Sequence, residues 1–153
     1  MLTAAGVVLW IVFAVFALRG ARWAYLIFVL LGFFWIPGRA GFHLHRPLCD
    51  SALDLNLALF SLTKYKHIFL FGIFFLMTYA QIPKVRYALL WAAVATLAMG
   101  VLIELEEGAT AGSGHCHLRD LVPDAAGALA GAAIVMGRRA LGKDSKAAAA
   151  AAR

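Results

Sequence analysis

The sequence predicts an all-α membrane protein, a small bundle of about five transmembrane helices with an interfacial helix between the second and third. Three observations carry that prediction. Hydrophobic residues make up 63% of the chain and charged residues 14%, against roughly 45–50% and about 25% in soluble domains. Mean hydropathy is +0.84. The apolar residues fall in runs close to the ~20 residues that cross a bilayer core, while the ionisable ones gather between the runs. A chain of 153 residues has room for one such bundle and no separate soluble domain. The reading is a membrane domain over 1–137 and a basic, alanine-rich cytoplasmic tail over 138–153, a fraying or disordered end with no assigned function.

The spans are expected at 2–18, 20–37, 67–83, 87–103 and 121–137. The first has no basic start, and Arg19 and Arg22 follow it where small residues would mark a cleavage site. It therefore reads as a retained helix rather than a signal peptide. The second has a short uninterrupted apolar run, 23–36, and requires Arg22 to snorkel; one continuous span through both segments is the alternative. Next, Ser51-Ala-Leu-Asp54 reads as a capping box with Asp at the third helical position, followed by an apolar run to Leu62. Asp50, Ser51, Asp54 and Ser61 lie toward one side of that helix, which suits a membrane interface.

Lys64 and His67, three residues apart, open the third span on the face continued by Phe71, Thr78 and Gln81. The fourth ends in Glu104, Glu106 and Glu107, where the negative end of the helix dipole disfavours carboxylates. Glu104 and Glu107 share a face, so they would hold a proton, bind a cation or pair with Lys64, His67 or Arg119. Glu106 reads equally as a marker of the water boundary. Asp120 and Asp124 open the fifth span, where capping and the dipole favour Asp and Pro123 is tolerated. Below them on the same face, Gly127 and Gly131 form a small-residue stripe that lets a neighbouring helix approach closely.

Alternate connections belong on opposite sides of a membrane, and Lys and Arg favour the cytoplasm. One side collects Arg19, Arg22, Lys84, Arg86, Arg138, Arg139, Lys143, Lys146 and Arg153, with Asp144 as its only acid. The other holds every remaining carboxylate together with Arg39, Arg46, Lys64, Lys66 and Arg119. The membrane expected is the plasma (inner) membrane, and this partition implies an amino terminus outside and a carboxyl terminus in the cytoplasm. It also explains the net charge of +6 by topology, so no nucleic-acid partner is expected.

Taken in order, these residues resemble the VanZ-like family of membrane proteins, named for a teicoplanin-resistance factor. That family runs Asp-Lys-x-x-His before one span, Glu-x-x-Gln at the end of the next, an Arg-containing loop, then an Asp-x-x-x-Asn-x-x-Gly-x-x-x-Gly helix. Here Lys64-Tyr-Lys-His67 follows Thr63 in place of Asp, and Glu104-Leu-Glu-Glu107 has Glu for Gln. Asp120-Leu-Val-Pro-Asp124-Ala-Ala-Gly127-Ala-Leu-Ala-Gly131 has Asp for Asn, and Ser-Gly-His115-Cys116-His117 stands where the family carries Arg and Asp. The resemblance covers residues 60–135. It implies a multispan cell-envelope protein with a link to glycopeptide resistance and supplies no reaction.

The loop residues have chemistry of their own, because the expected topology puts them in an oxidising compartment. A Cys49 to Cys116 disulfide, a zinc or other divalent-metal site using His43, His45, His115 and His117, and free side chains are the alternatives. There is no Cys-x-x-Cys-His for haem attachment and no Cys-x-x-Cys pair for a quinone-linked disulfide oxidase. The ligand-binding candidates are Lys64, His67, Glu104, Glu107, Arg119, Asp120 and Asp124. Two functional classes follow. In one, these groups bind a lipid head group or lipid-linked cell-wall precursor at the outer face without catalysis. In the other they form an enzyme site on a lipid phosphate, with Glu104 or Glu107 as base, His67 as acid or base, and Lys64 or Arg119 on the phosphate. A structural membrane partner, including a second copy of the chain, is a third reading.

Overall fold

The computed structural model describes residues 4–33, 49–50, 54–109 and 116–151, with side chains over 8–31, 49–50, 54–109 and 116–142. Among them the protein is all-α apart from one two-residue ladder. The helices are α1 (Ala4–Leu18), α2 (Arg22–Phe33), α3 (Leu55–Ser61), α4 (Tyr65–Gln81), α5 (Ala88–Ala109) and α6 (Leu121–Ala151). A 3-10 turn, Leu118–Asp120, leads into α6.

The first two apolar segments are two helices. Gly20 adopts φ 87°, a left-handed conformation open to glycine at little cost, and the chain doubles back there. Trp10 meets Phe28 at 4.6 Å between ring centroids and Phe16 meets Trp23 at 5.7 Å, the pairing of an antiparallel hairpin. Ala14 and Ala17 of α1 and Ala24 and Phe28 of α2 pack on Phe74 and Met77 of α4. Two polar bonds tie the hairpin to α4: Gln81 Nε2 donates to Ala17 O at 2.8 Å, and the Tyr25 and Thr78 hydroxyls lie 3.0 Å apart.

Among the described residues two helical stretches, Ala88–Ala109 and Leu118–Gly142, are long and apolar enough to cross a membrane; α4 makes a third when joined to α3 across a 72° bend. At 15 and 12 residues, α1 and α2 reach about 22 and 18 Å at 1.5 Å per residue, short of a ~30 Å hydrocarbon core. Helix α5 extends past the expected end at residue 103, so Glu104, Glu106 and Glu107 lie within its last two turns. Helix α6 continues beyond residue 137 to Ala151, so the tail begins as a continuation of the last helix, one of its two expected forms.

The expected capping box is replaced by a simpler cap. Helix α3 starts at Leu55, and Asp54 itself is the N-cap, its Oδ1 accepting from Asn56 N at 2.8 Å. Asp54 thus stands before the helix rather than at its third position, and Ser51 lies outside the described residues. Of the expected polar face, Ser61 is buried, and its Oγ donates to Ala58 O and to Arg119 O at 2.6 and 3.1 Å. Leu55, Leu59 and Phe60 are exposed on the other side.

The closest packing joins α4 to α6. The two helices run parallel, since Gly72, Phe75 and Tyr79 meet Gly127, Gly131 and Arg139 in turn. A Cβ on Gly127 would lie 2.5 Å from Ile68 O and 2.9 Å from Gly72 N, and one on Gly131 would meet Phe75 Cδ1 at 2.7 Å. Helices in lipid gain their association from such close van der Waals contact, because burial from water no longer drives it. Helix α5 closes the trio through Ala92, packed with Phe75, Ala128 and Val135.

Gly127→Ala should cost about 1–3 kcal/mol, the usual range for overpacking, because the atoms it strikes are backbone. Gly137→Ala meets nothing within 4 Å and should be neutral or slightly stabilising through helix propensity. Thermal melts of the two variants in one detergent check the contrast; equal melting temperatures would remove the close contact from the account.

Candidate functional site

Three helix ends meet at the pole of the bundle where α4 begins, α5 ends and α6 begins. Lys64 precedes α4 and His67 lies in its first turn. Asp120 ends the 3-10 turn and Asp124 occupies the first turn of α6, with buried Pro123 beside it. Because α4 and α6 run parallel in contact, the first turns of both stand side by side. Lys64 Nζ donates to Asp120 Oδ2, and His67 Nδ1 lies 3.1 Å from Asp124 Oδ1. The imidazole stacks on Phe71 at 6.2 Å, which fixes its plane.

Asp124 is 1% exposed, and its seat is made by α5. A Cβ on Gly100 would stand 2.5 Å from Asp124 Oδ2, so any side chain there would force the carboxylate to shift. One turn further on, Glu104 is 2% exposed, and its Oε2 accepts from His117 N at 2.9 Å. Glu104 lies within electrostatic reach of Asp120, Glu107 and Asp124. Glu107 feels His67, Lys64, Asp120 and Asp124. The cluster therefore sets four carboxylates against one lysine and one imidazole. The second oxygen of Asp120, Oδ1, is buried without a hydrogen-bond partner among the described residues. A ligand that donates hydrogen bonds or carries positive charge suits that surplus of acceptors.

A strap roofs the cluster. Cys49 and Cys116 form a disulfide with Cα atoms 4.4 Å apart, 67 residues apart in sequence. Around it runs a parallel ladder pairing Cys49 with Cys116 and Asp50 with His117. The His117 amide that reaches Glu104 belongs to this ladder, so the crosslink holds the donor in place.

Other expected site residues go elsewhere. Arg119 turns to Asp50, Nη1 to Oδ2 at 3.9 Å, rather than to the cluster, and contributes its carbonyl to Ser61. The His117 ring also faces Asp50, at 3.6 Å from Nδ1. His43, His45 and His115 lie outside the described residues, among which no group of three or more His, Cys, Asp or Glu side chains is arranged to hold a metal ion. Glu106 is buried, and two residues from Glu104 it projects from nearly the opposite side of α5.

The structure adds Gly100 and Ser61 to the site. Gly100 had a signal in the sequence: Ala88, Ala92, Thr96, Gly100, Glu104 and Gly108 are all buried and recur every four residues, a stripe of small side chains with one acid in it. Ser61 had none, because its partner is a backbone carbonyl 58 positions away.

Lys64→Ala leaves the buried Asp120 carboxylate without its cation and should destabilise the fold, whereas adding Asp120→Asn should recover part of the loss. A double-mutant cycle read by thermal unfolding should give a coupling on the order of 0.5–3 kcal/mol. Strictly additive effects would mean the pair contributes nothing.

Compared with protein-family models, with curated proteins and with solved structures, the chain matches none.

Proposed function

We propose that this chain is a VanZ-like, five-span protein of the plasma (inner) membrane. Its outer-face carboxylate cluster binds the polar head group of a membrane lipid or lipid-linked cell-wall precursor. In this reading the apolar segments 2–18 and 20–37, of which α1 and α2 are the described parts, are the first two spans, α3 lies in the outer interface with Leu55, Leu59 and Phe60 toward lipid, and α4, α5 and α6 complete the bundle. The single observation that carries the proposal is the buried cluster of Glu104, Asp120 and Asp124 against Lys64 and His67 at one pole. Ionisable groups at membrane depth are costly, and without a ligand the same packing would be served by apolar residues. The link to glycopeptide resistance rests on the resemblance of the motifs.

Two features support an outward pole. The disulfide belongs to an oxidising compartment, and the opposite pole carries Lys84, Arg86, Arg138 and Arg139, as cytoplasmic ends do. On intact cells, an impermeant reductant followed by an impermeant maleimide should label Cys49 and Cys116. Labelling that requires permeabilisation would invert the orientation.

A catalytic reading has one observation in its favour. Asp124 holds Nδ1 of His67, an arrangement that orients an imidazole as a general base. Native mass spectrometry of the protein released from its own membranes, wild type against Glu104→Gln, tests binding and catalysis together. Binding predicts a lipid adduct retained by wild type and lost from the variant, with the lipid recovered unchanged after incubation. Turnover of the lipid, abolished by His67→Ala, would replace binding by catalysis. A divalent ion in place of lipid would point to the metal alternative, and identical spectra lacking any adduct would overturn the site.

A further inference from the structure

The opposite pole carries a second site. Beyond α4 the chain passes through Ile82, Pro83 and Lys84 to Tyr87, which adopts φ 60°. Among the described residues it is the one non-glycine residue in that left-handed region. Such a conformation is uncommon for an aromatic residue and is kept only where its surroundings enforce it. Arg86 lies against it, its guanidinium 4.8 Å from the Tyr87 ring centroid and its Nη2 donating to Tyr87 Oη at 2.8 Å. Beside this turn lies an open groove of about 310 Å³ lined by Val85, Tyr87, Ala88, Leu89, Leu90 and Arg139.

The groove has the pattern of an amphiphile. Its walls are apolar, and Val85, Tyr87 and Leu90 are exposed along it. Its one charged wall is Arg139, which lies over the Tyr79 ring at 5.3 Å and donates to the Tyr79 hydroxyl, so the guanidinium is oriented in advance. Residues 88–90 are the first turn of the 22-residue α5, where the Ala88 amide already donates to Val85 O at 3.1 Å and the helix dipole favours an anion. Lys84, Arg86 and Arg138 flank the groove residues in sequence, and Asp144 is the one acid in the adjoining stretch. Arginine's fork matches a phosphate's oxygens, and basic pockets between transmembrane helices suit anionic head groups.

We infer that this groove binds an anionic phospholipid of the bordering leaflet, its phosphate held by Arg139, Arg86 and the α5 amino terminus, and its glycerol and upper acyl chains along Val85 and Leu90. Charge complementarity with an apolar trough selects a lipid over a free anion, and the site is independent of the carboxylate cluster. The test uses the full-length protein in a neutral detergent, titrated with short-chain phosphatidylglycerol, phosphatidylcholine or inorganic phosphate and read by native mass spectrometry. Phosphatidylglycerol should bind in preference to phosphatidylcholine, and Arg139→Gln and Arg86→Gln should each weaken it about five- to tenfold. If Arg139→Gln fails to melt cooperatively, Arg86→Gln decides, since its side chain is exposed at the turn. Equal binding of the two lipids, wild-type affinity in the folded arginine variants, or displacement of the lipid by equimolar phosphate would overturn the proposal.

Discussion

The backbone contact between α4 and α6 is the constraint on which the rest depends. At Gly127 the two helices approach so closely that a single added methyl would strike a carbonyl of the facing helix, and one at Gly72 would already be tight against Gly127 O at 3.3 Å. That contact sets the axial register of two parallel helices, and the register brings His67 to Asp124 and Lys64 to Asp120. Helix α5 then completes the cluster from the third side, Gly100 giving space to Asp124 and Glu104 reaching the strap. Packing at glycines and polar pairing at the pole are thus one arrangement, and neither set of contacts forms in another register.

The polar strap works from outside the bundle. The disulfide fixes the segment before α3 to the segment before α6, and the ladder around it delivers a backbone amide to Glu104. Buried carboxylates require donors, and here the donors come from three sources: a lysine, an imidazole and a main-chain amide. Asp120 keeps one oxygen without such a donor among the described residues, which is where a bound group would complete the set. The two poles of the molecule differ in sign, acidic beneath the strap and basic at the α4–α5 turn, so each would meet a different part of the membrane.

Much of this was legible in the sequence because charge is conspicuous in an oily chain. Lys64, His67, Glu104, Glu107, Asp120 and Asp124 stand out by type and spacing, and Gly127 and Gly131 stand out by their interval on the face below the aspartates. What was not legible depends on contacts between distant segments. Nothing local to Arg119 says that its side chain goes to Asp50 and its carbonyl to Ser61. The span boundaries after 103 and 137 were drawn where hydropathy falls, but helical hydrogen bonding continues through Glu107 and through the basic tail. Ser51 and Asp54 both have the chemistry of a cap, and the structure uses Asp54. The break between α1 and α2 was marked by Gly20, which composition alone left compatible with one continuous span.

The most direct test of the central claim, that the α4–α6 contact sets the polar cluster, is nitrogen NMR of the imidazole of His67 in lipid bilayers. Wild type should show Nδ1 hydrogen-bonded to a carboxylate. Both Asp124→Asn, which removes the partner's charge, and Gly127→Ala, which separates the helices, should shift that resonance while leaving the ring of His117 unchanged. A His67 signal identical in all three proteins would contradict the account, because the imidazole would then be independent of both the aspartate and the helix contact.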